Sequence, residues 1–594
     1  MWQIIIIACL VNAQLEVPDQ IIKRLKTELD YESMLVVHNH FASCVIDLQR
    51  DDTMPIINFN EKQNFSIKTT FNRRFLVLVC LSTHSITALN VLSKNLDGMR
   101  DTAIVLVLAP EVKLSLSNAF KNCLWNKMLN VIAIRNWKQD HHVYSYRAFP
   151  QFKVIKRHIS QVERFFVPQM RNMGGHPIIS VPDNILPRSV YYRDAMEKPH
   201  VVGYLASFLY NFAKTLNATV RICWDHVPLN MPEEMISQGV IELTDEGMVD
   251  IPLCIINTAS TVGQTSLISS YVMETSTWQL IVPLEAECES EFLIFTAASK
   301  AQMCISILIM VLFALLLHNF GRLELGESAN LRCLYQLIDP VLRAVTNQTF
   351  VLPRQPSRML RGVYSMLFLF SFLSYNIYIA QLEMILVHPP REKPLKSYQD
   401  LRHVGLKILL TPDDKHLMHD LLGSRHMNEF WDIYEVVNRS TFQSLRRQPN
   451  ISYAYPITHT LWPLIQRKFA KQPYPLFRLS KEFTFVSFLL FGLPLSRNSI
   501  YEEPLNRYIL NTHCSGLYNH WFHRCFDKLV EIGKMEVLPY ISIEETFHIL
   551  RWEHFRYIWV FYFIHISFAT IVFVFEIGLA NLMNRYIYYI PIIW

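Results

Sequence analysis

Three long apolar runs, two of them close together and the third roughly 170 residues later, constrain this chain more than any other feature. They are Ala301 to Leu317, Val363 to Val387 and Tyr557 to Phe575. At about 1.5 Å per residue, their lengths fall in the range of about 17–25 residues that crosses the hydrocarbon core of a bilayer. Between the first two, Leu334 to Val351 (LYQLIDPVLRAVTNQTFV) is apolar in places but broken by Asp339, Pro340 and Arg343. That stretch is too polar to face lipid, and it suits a re-entrant hairpin lined by protein or water.

Length and composition agree with a membrane protein. The chain has 594 residues, 51% of them hydrophobic, so it exceeds one domain and fits a few spans rather than a soluble enzyme. A net charge of +5 without basic runs and interleaved aromatics excludes nucleic acid as an expected partner. The start, MWQIIIIACLVNAQ, has a short apolar core from Ile4 to Val11 followed by Ala13, and residues 1–13 read as a signal peptide. Export then puts everything up to Lys300 outside, His318 to Gly362 inside, Pro389 to Glu553 outside and the C-terminus inside. The inner loop carries Arg322, Arg332, Arg343, Arg354, Arg358 and Arg361 against Glu324, Glu327 and Asp339, the Arg excess expected of a cytoplasmic loop. The Asn-x-Ser/Thr sites Asn64, Asn217, Asn438 and Asn450 fall in segments this topology places outside, and are the expected glycosylation sites. A fifth, Asn347, falls in the hairpin.

Of the eleven cysteines, Cys9 belongs to the signal, Cys304 to a span and Cys333 to the inner face. The remaining eight, in an oxidising compartment, allow up to four disulfides whose pairing spacing does not reveal. No Cys/His cluster has metal-ligand spacing, and His141-His142 reads as solvated loop, so neither a metal nor another cofactor is expected.

Along the exported part, Phe75 to Leu81, Ala103 to Ala109 and Val131 to Ile134 read as buried strands. Helix-length stretches near Ser85 to Asn95 and Glu111 to Lys127 separate them, a rhythm that predicts a small parallel-sheet lobe. The turn Ser82-Thr83-His84 lacks the glycines of a phosphate cradle. Gly203 to Asn217 predicts a helix running into a strand at Ala218 to Cys223, with further strands at Met248 to Ile256 and Trp278 to Val282. After the second apolar run, Ser397 to Arg402 reads as helix, Val404 to Leu410 as strand and Asp413 to Leu422 as helix. Two α/β lobes interrupted by the apolar runs would form a clamshell whose cleft is the natural ligand site.

Several motifs recur in one order around these runs. They are Pro353-Arg354, then RMLRGVY from Arg358, SYNIYIAQLEMIL from Ser374, Asp400-Leu401, the pair Trp521-Phe522 before Cys525, and FVFEIGLANL around Glu576. In these the chain, over roughly residues 176–582, resembles an ionotropic glutamate receptor, and more closely a divergent insect ionotropic receptor. The resemblance implies a multi-domain membrane protein: an α/β bilobed periplasmic-binding-protein-like clamshell plus an α-helical pore of three spans and one re-entrant loop. The implied parts are a reduced N-terminal α/β lobe (14–175), ligand-binding segments at 176–298 and 390–553, and transmembrane helices at 301–318, 362–387 and 556–582. The pore loop is placed at 334–351 and a cytoplasmic tail at 583–594. It also implies a ligand-gated, non-selective cation channel subunit in the plasma membrane of a sensory neuron dendrite. Its expected partners are co-receptor subunits in a heterotetramer, membrane lipid and a small chemical cue of taste or smell. The alternative is a ligand-binding or accessory subunit that does not conduct.

Departures from that family's pattern bear on the ligand. Amino-acid-gated relatives clamp the ligand carboxylate with an Arg and its ammonium with an acid. Here the Arg position, counted from VDIPL (Val249 to Leu253), falls near Val262, and Tyr453 to Leu464 contains no Asp or Glu. The resemblance therefore implies Val262, Tyr455, His459 and Trp462 as ligand-binding residues for an apolar or weakly polar cue rather than glutamate. It implies Thr346 and Asn347 at the pore-loop tip, and a gate from Ser374, Tyr375, Ile377, Tyr378, Gln381 and Glu383. Bulky side chains at such a gate suit opening by wetting. No nucleophile motif appears, and His40, His226 and His459 stand isolated, so the chain is not expected to be an enzyme.

Overall fold

The computed structural model describes residues 13–17, 19–38, 42–46, 54–60, 66–69, 71–81, 86–108, 115–135, 140–226, 233–258, 267–285, 300–325, 339–344, 347–352, 355, 357–387, 391–447, 450–472, 475–539 and 552–587. The chain divides into two units. One is α/β and made of residues 1–283 and 401–540; the other is made of residues 284–400 and 541–594.

In the α/β unit, Phe75–Leu81 is buried along its whole length, as a continuous apolar run covered on both faces must be. It sits inside a seven-stranded sheet in the order Ile56–Asn60, Ser33–His38, Phe75–Leu81, Ile104–Leu108, Val131–Arg135, His142–Arg147 and Lys153–His158. The first five strands are parallel. The last two are antiparallel, so the lobe is larger and more mixed than the expected β-α-β rhythm. Helices Ile86–Asn95 and Leu116–Trp125 supply the crossovers. One hydrophobic core runs from this sheet into the helices Tyr204–Thr215, Glu502–Cys514 and Leu517–Glu531. Polar contacts join the same parts. Asn498 accepts from the Gly98 N–H at 2.6 Å and donates to Asp97 at 2.8 Å, and Arg497 pairs with Asp97 at 2.6 Å.

A second, six-stranded sheet has the order Ile256–Asn257, Phe477–Gly492, Glu274–Pro283, Tyr453–Thr458, Lys407–Leu410 and Tyr434–Val436. Its pairing decides the architecture. Glu274–Pro283 is the last strand before the chain leaves this unit, and both of its neighbours come from chain beyond Leu401. A separate core gathers under this sheet from Ile281, Leu409, Phe442, Tyr455, Ile457 and Phe477.

Two expected strands differ. Val404 closes the helix Tyr398–Val404, and the strand is only Lys407–Leu410. Of Met248 to Ile256, only Ile256–Asn257 is strand. The Asp250 carboxylate takes the Ile179 N–H at 2.9 Å, so a side chain occupies a position that a backbone ladder would need. Disulfides are fewer than the eight outer cysteines allow: Cys80 is bonded, but Cys123, Cys223, Cys254, Cys514 and Cys525 are free thiols.

The second unit contains helices Lys300–Leu325, Arg358–Val387 and Arg556–Ile587. Two stretches, Arg358–Ile385 and Arg556–Leu582, are long and apolar enough to cross a membrane, and Cys304–Phe320 is a shorter apolar stretch. Residues 339–344 are helical and pack Val341 and Ala344 against Leu317, Leu360 and Leu367. The Ser371 hydroxyl donates to the Ala344 carbonyl. Apolar side chains such as Phe368, Phe372, Phe568 and Phe573 are exposed among the described residues, which suits lipid or further subunits.

Candidate functional site

The α/β unit concentrates its buried charge where the two cores meet. Glu274, at the head of the Glu274–Pro283 strand, is 9% exposed. Its carboxylate accepts from the Tyr204 hydroxyl at 3.1 Å and the Tyr518 hydroxyl at 3.2 Å, both on helices of the larger core. It also accepts from the Thr460 hydroxyl at 2.5 Å, on the turn that leads into the helix Trp462–Lys468, whose Leu464 lies in the larger core and whose Trp462 packs against the smaller one. Ser276 adds a hydroxyl contact to Thr460 at 3.4 Å. One carboxylate thus ties two helices of the larger core to the turn that enters a helix packed against both cores. Burial, and then the Glu274 carboxylate, push the Tyr204 hydroxyl well above its ordinary range, and burial, the Tyr204 phenol and Glu274 do the same for Tyr518, which keeps both as donors.

Asp183 and Arg188 stand close by. Asp183 is fully buried, accepts from the Ser189 hydroxyl at 2.8 Å and the Ile185 N–H at 3.2 Å, and faces Arg188 at 3.6 Å. Burial pushes the Asp183 carboxyl up, with Arg188, Ser189 and the Ile185 amide opposing. Its second oxygen has no hydrogen bond, and neither has the buried Ser180 hydroxyl. The Cys254 thiol is raised by burial. Charged groups are therefore present at this seam, and they are engaged by the protein itself.

Sequence reasoning missed these residues because it fixed on two aligned positions. The available signal was a Glu at the head of an otherwise apolar strand (ETSTWQLIVP), which has to be buried with partners.

The residues named from the sequence are scattered. Val262 and Thr346 lie outside the described residues. Tyr455 is 0% exposed, rings its neighbours Phe442 and Phe477, donates to the carbonyls of Leu445 and Asn450, and accepts from the Asn450 N–H. It is a core residue whose hydroxyl is engaged by backbone groups. Trp462 packs half-buried against that core and His459 is exposed beside Thr460. Asn347 is exposed with φ 52°, after the helical residues 339–344.

Ser374, Ile377, Tyr378 and Gln381 follow i, i+3, i+4, i+7 spacing on the helix Arg358–Val387 and so share one stripe. Glu383 falls about 180° round from Ser374, and Tyr375 about 100° from it, so neither joins that stripe. Of the glycosylation sites, Asn217, Asn438 and Asn450 are exposed, and Asn64 is outside the described residues. Among the described residues no three His, Cys, Asp or Glu gather as a metal-ligand set.

No protein-family model matches the chain, and a search of curated proteins returns no significant match.

Proposed function

We propose that this chain is a subunit of a ligand-gated, non-selective cation channel of the insect ionotropic receptor type, opened by a chemical cue other than glutamate. One observation carries the reading: the α/β unit is built from two stretches of chain that pair strand to strand, and the segment between them belongs to a different unit with apolar helices. An insertion of that kind puts a two-cored sensor in direct covalent series with membrane helices at both of its exits. The Glu274 seam is then the clamshell cleft. Its Arg188 and Glu274 are already held by Asp183, the two tyrosines and Thr460, so a free amino acid would have to displace those partners to gain its charged anchors. A weakly polar cue meets no such competition.

Gating would follow from differential affinity. A cue opens the pore only by as much as it binds the closed seam better than the open one. The stripe Ser374, Ile377, Tyr378 and Gln381 is the proposed gate, where apolar bulk closes the path until it wets.

The test is whole-cell current from cells expressing the chain with family co-receptor subunits, challenged with acids, amines, sugars and cuticular hydrocarbons. Once an active cue is found, Thr460→Val should raise the half-activating concentration about fivefold, since it removes a seam hydrogen bond of about 1 kcal/mol. Binding of a cue without current in any subunit combination would favour an accessory, non-conducting role. Potent activation by glutamate would overturn the ligand assignment.

A further inference from the structure

We propose that the N-terminal lobe carries a second ligand site, away from the Glu274 seam, for an organic carboxylate with an apolar body. The site is a cavity of about 660 Å³ against one face of the antiparallel end of the seven-stranded sheet. That volume is in the range of small-molecule pockets. Its floor follows from strand register: Ile132 opposes Ser145, and Ser145 opposes Ile155, so the three form one row on a single face. Arg157 and Arg147 project from that same face, since side chains two residues apart on a strand share it.

The facing wall is the segment through Phe165 and Phe166, and Arg157 holds it in place. The guanidinium donates to the Arg164 and Phe165 carbonyls, each at 2.8 Å, and lies within 3.5 Å of the Ser145 hydroxyl. Glu28 braces the wall from elsewhere by accepting the Phe165 and Phe166 N–H groups at 2.8 and 3.0 Å. The wall is thus a built feature, and Phe165 is 1% exposed.

Charge sets the ligand class. Arg147, Arg157, Arg164 and Arg171 line the cavity, and no acidic residue does. None of the four forms a salt bridge among the described residues. The neighbouring cavity of about 1330 Å³ differs, because acids stand against three of its arginines: Asp101 lies 3.9 Å from Arg73, Glu32 3.0 Å from Arg74 and Glu503 2.8 Å from Arg507. Arg157 has the charge of Glu28 near it, but Arg147, Arg164 and Arg171 have no carboxylate partner among the described residues; guanidiniums so placed favour an anion and bind carboxylates by paired hydrogen bonds. The Ile132–Ile155 row and the Phe165–Phe166 wall accept the apolar remainder. Inorganic anions would use the charge but leave that surface empty.

The test uses the full chain in lipid nanodiscs and three probes in equilibrium dialysis: 4-phenylbutyrate, 4-phenylbutylamine and inorganic phosphate, with empty nanodiscs as blank. One phenylbutyrate per chain should bind, weakening with added salt, while the amine and phosphate bind at least tenfold more weakly. The triple variant Arg147→Gln, Arg164→Gln, Arg171→Gln replaces exposed side chains and should lower phenylbutyrate affinity at least tenfold with the unfolding temperature unchanged. Thr460→Val should leave that affinity as it was, which separates this site from the seam. Equal binding of the amine, equal binding of phosphate, or an unaffected triple variant would each overturn the proposal.

Discussion

Gly203→Ala is expected to destabilise the α/β unit by on the order of 3–5 kcal/mol, read as a lower unfolding temperature and loss of surface expression. Gly203 precedes the helix Tyr204–Thr215 with φ 141°, a conformation that residues with a Cβ rarely adopt. An added Cβ would lie 2.1 Å from the Arg188 carbonyl oxygen and 2.6 Å from its carbon, both backbone atoms that cannot swing away. That close approach has a purpose. The first N–H groups of the helix lack partners within it, and here Leu205 donates to Arg188 at 3.1 Å and Tyr204 to Pro187 at 3.4 Å. Alanine would force the helix off its cap and move Tyr204 away from Glu274. Gly175, with φ 85° and no atom within 4 Å of the place a Cβ would take, isolates the conformational part; Gly175→Ala should cost only about 1–2 kcal/mol. Equal stability of Gly203→Ala and the parent protein would show that the helix does not rest on the Arg188 loop.

Glu274→Ala should cost about 3 kcal/mol or more, because it leaves three hydroxyl donors around one buried point without their acceptor. Glu274→Gln keeps one acceptor oxygen in the same place, and its loss should be about half as large. Both are measured by thermal unfolding of the purified chain. If Glu274→Ala melted with the parent, the carboxylate would not be joining the two cores.

How much of the fold is legible in the sequence depends on the kind of signal. Phe75 to Leu81 is readable because seven contiguous apolar residues bounded by polar ones have few alternatives to a buried strand. The helix Tyr204–Thr215 is readable from its apolar spacing. Met248 to Ile256 misleads because burial alone does not make a ladder: Val249, Ile251 and Leu253 are all about 1% exposed and the stretch donates backbone N–H groups to the Ile179 and Val181 carbonyls, but the Ile179 N–H goes to the Asp250 side chain instead of a backbone carbonyl. The two antiparallel strands His142–Arg147 and Lys153–His158 escape because Arg, Lys and His dilute their alternation.

The seam is less legible still. Tyr455 looks like a cleft residue because an aromatic with a hydroxyl suits a ligand, and only the neighbours Phe442 and Phe477 reveal it as core. Glu274 meets Thr460 across 186 residues of sequence, a separation that no local pattern encodes.

The central claim is that the segment between the two halves of the α/β unit dips into the membrane and emerges on its far side from the sensor. Epitope tags inserted beside Asn347 and beside Asn438, stained in intact and then permeabilised cells, test it most directly. The Asn438 tag should be reached without permeabilisation and the Asn347 tag only after it. Both tags on one side of the membrane would contradict it.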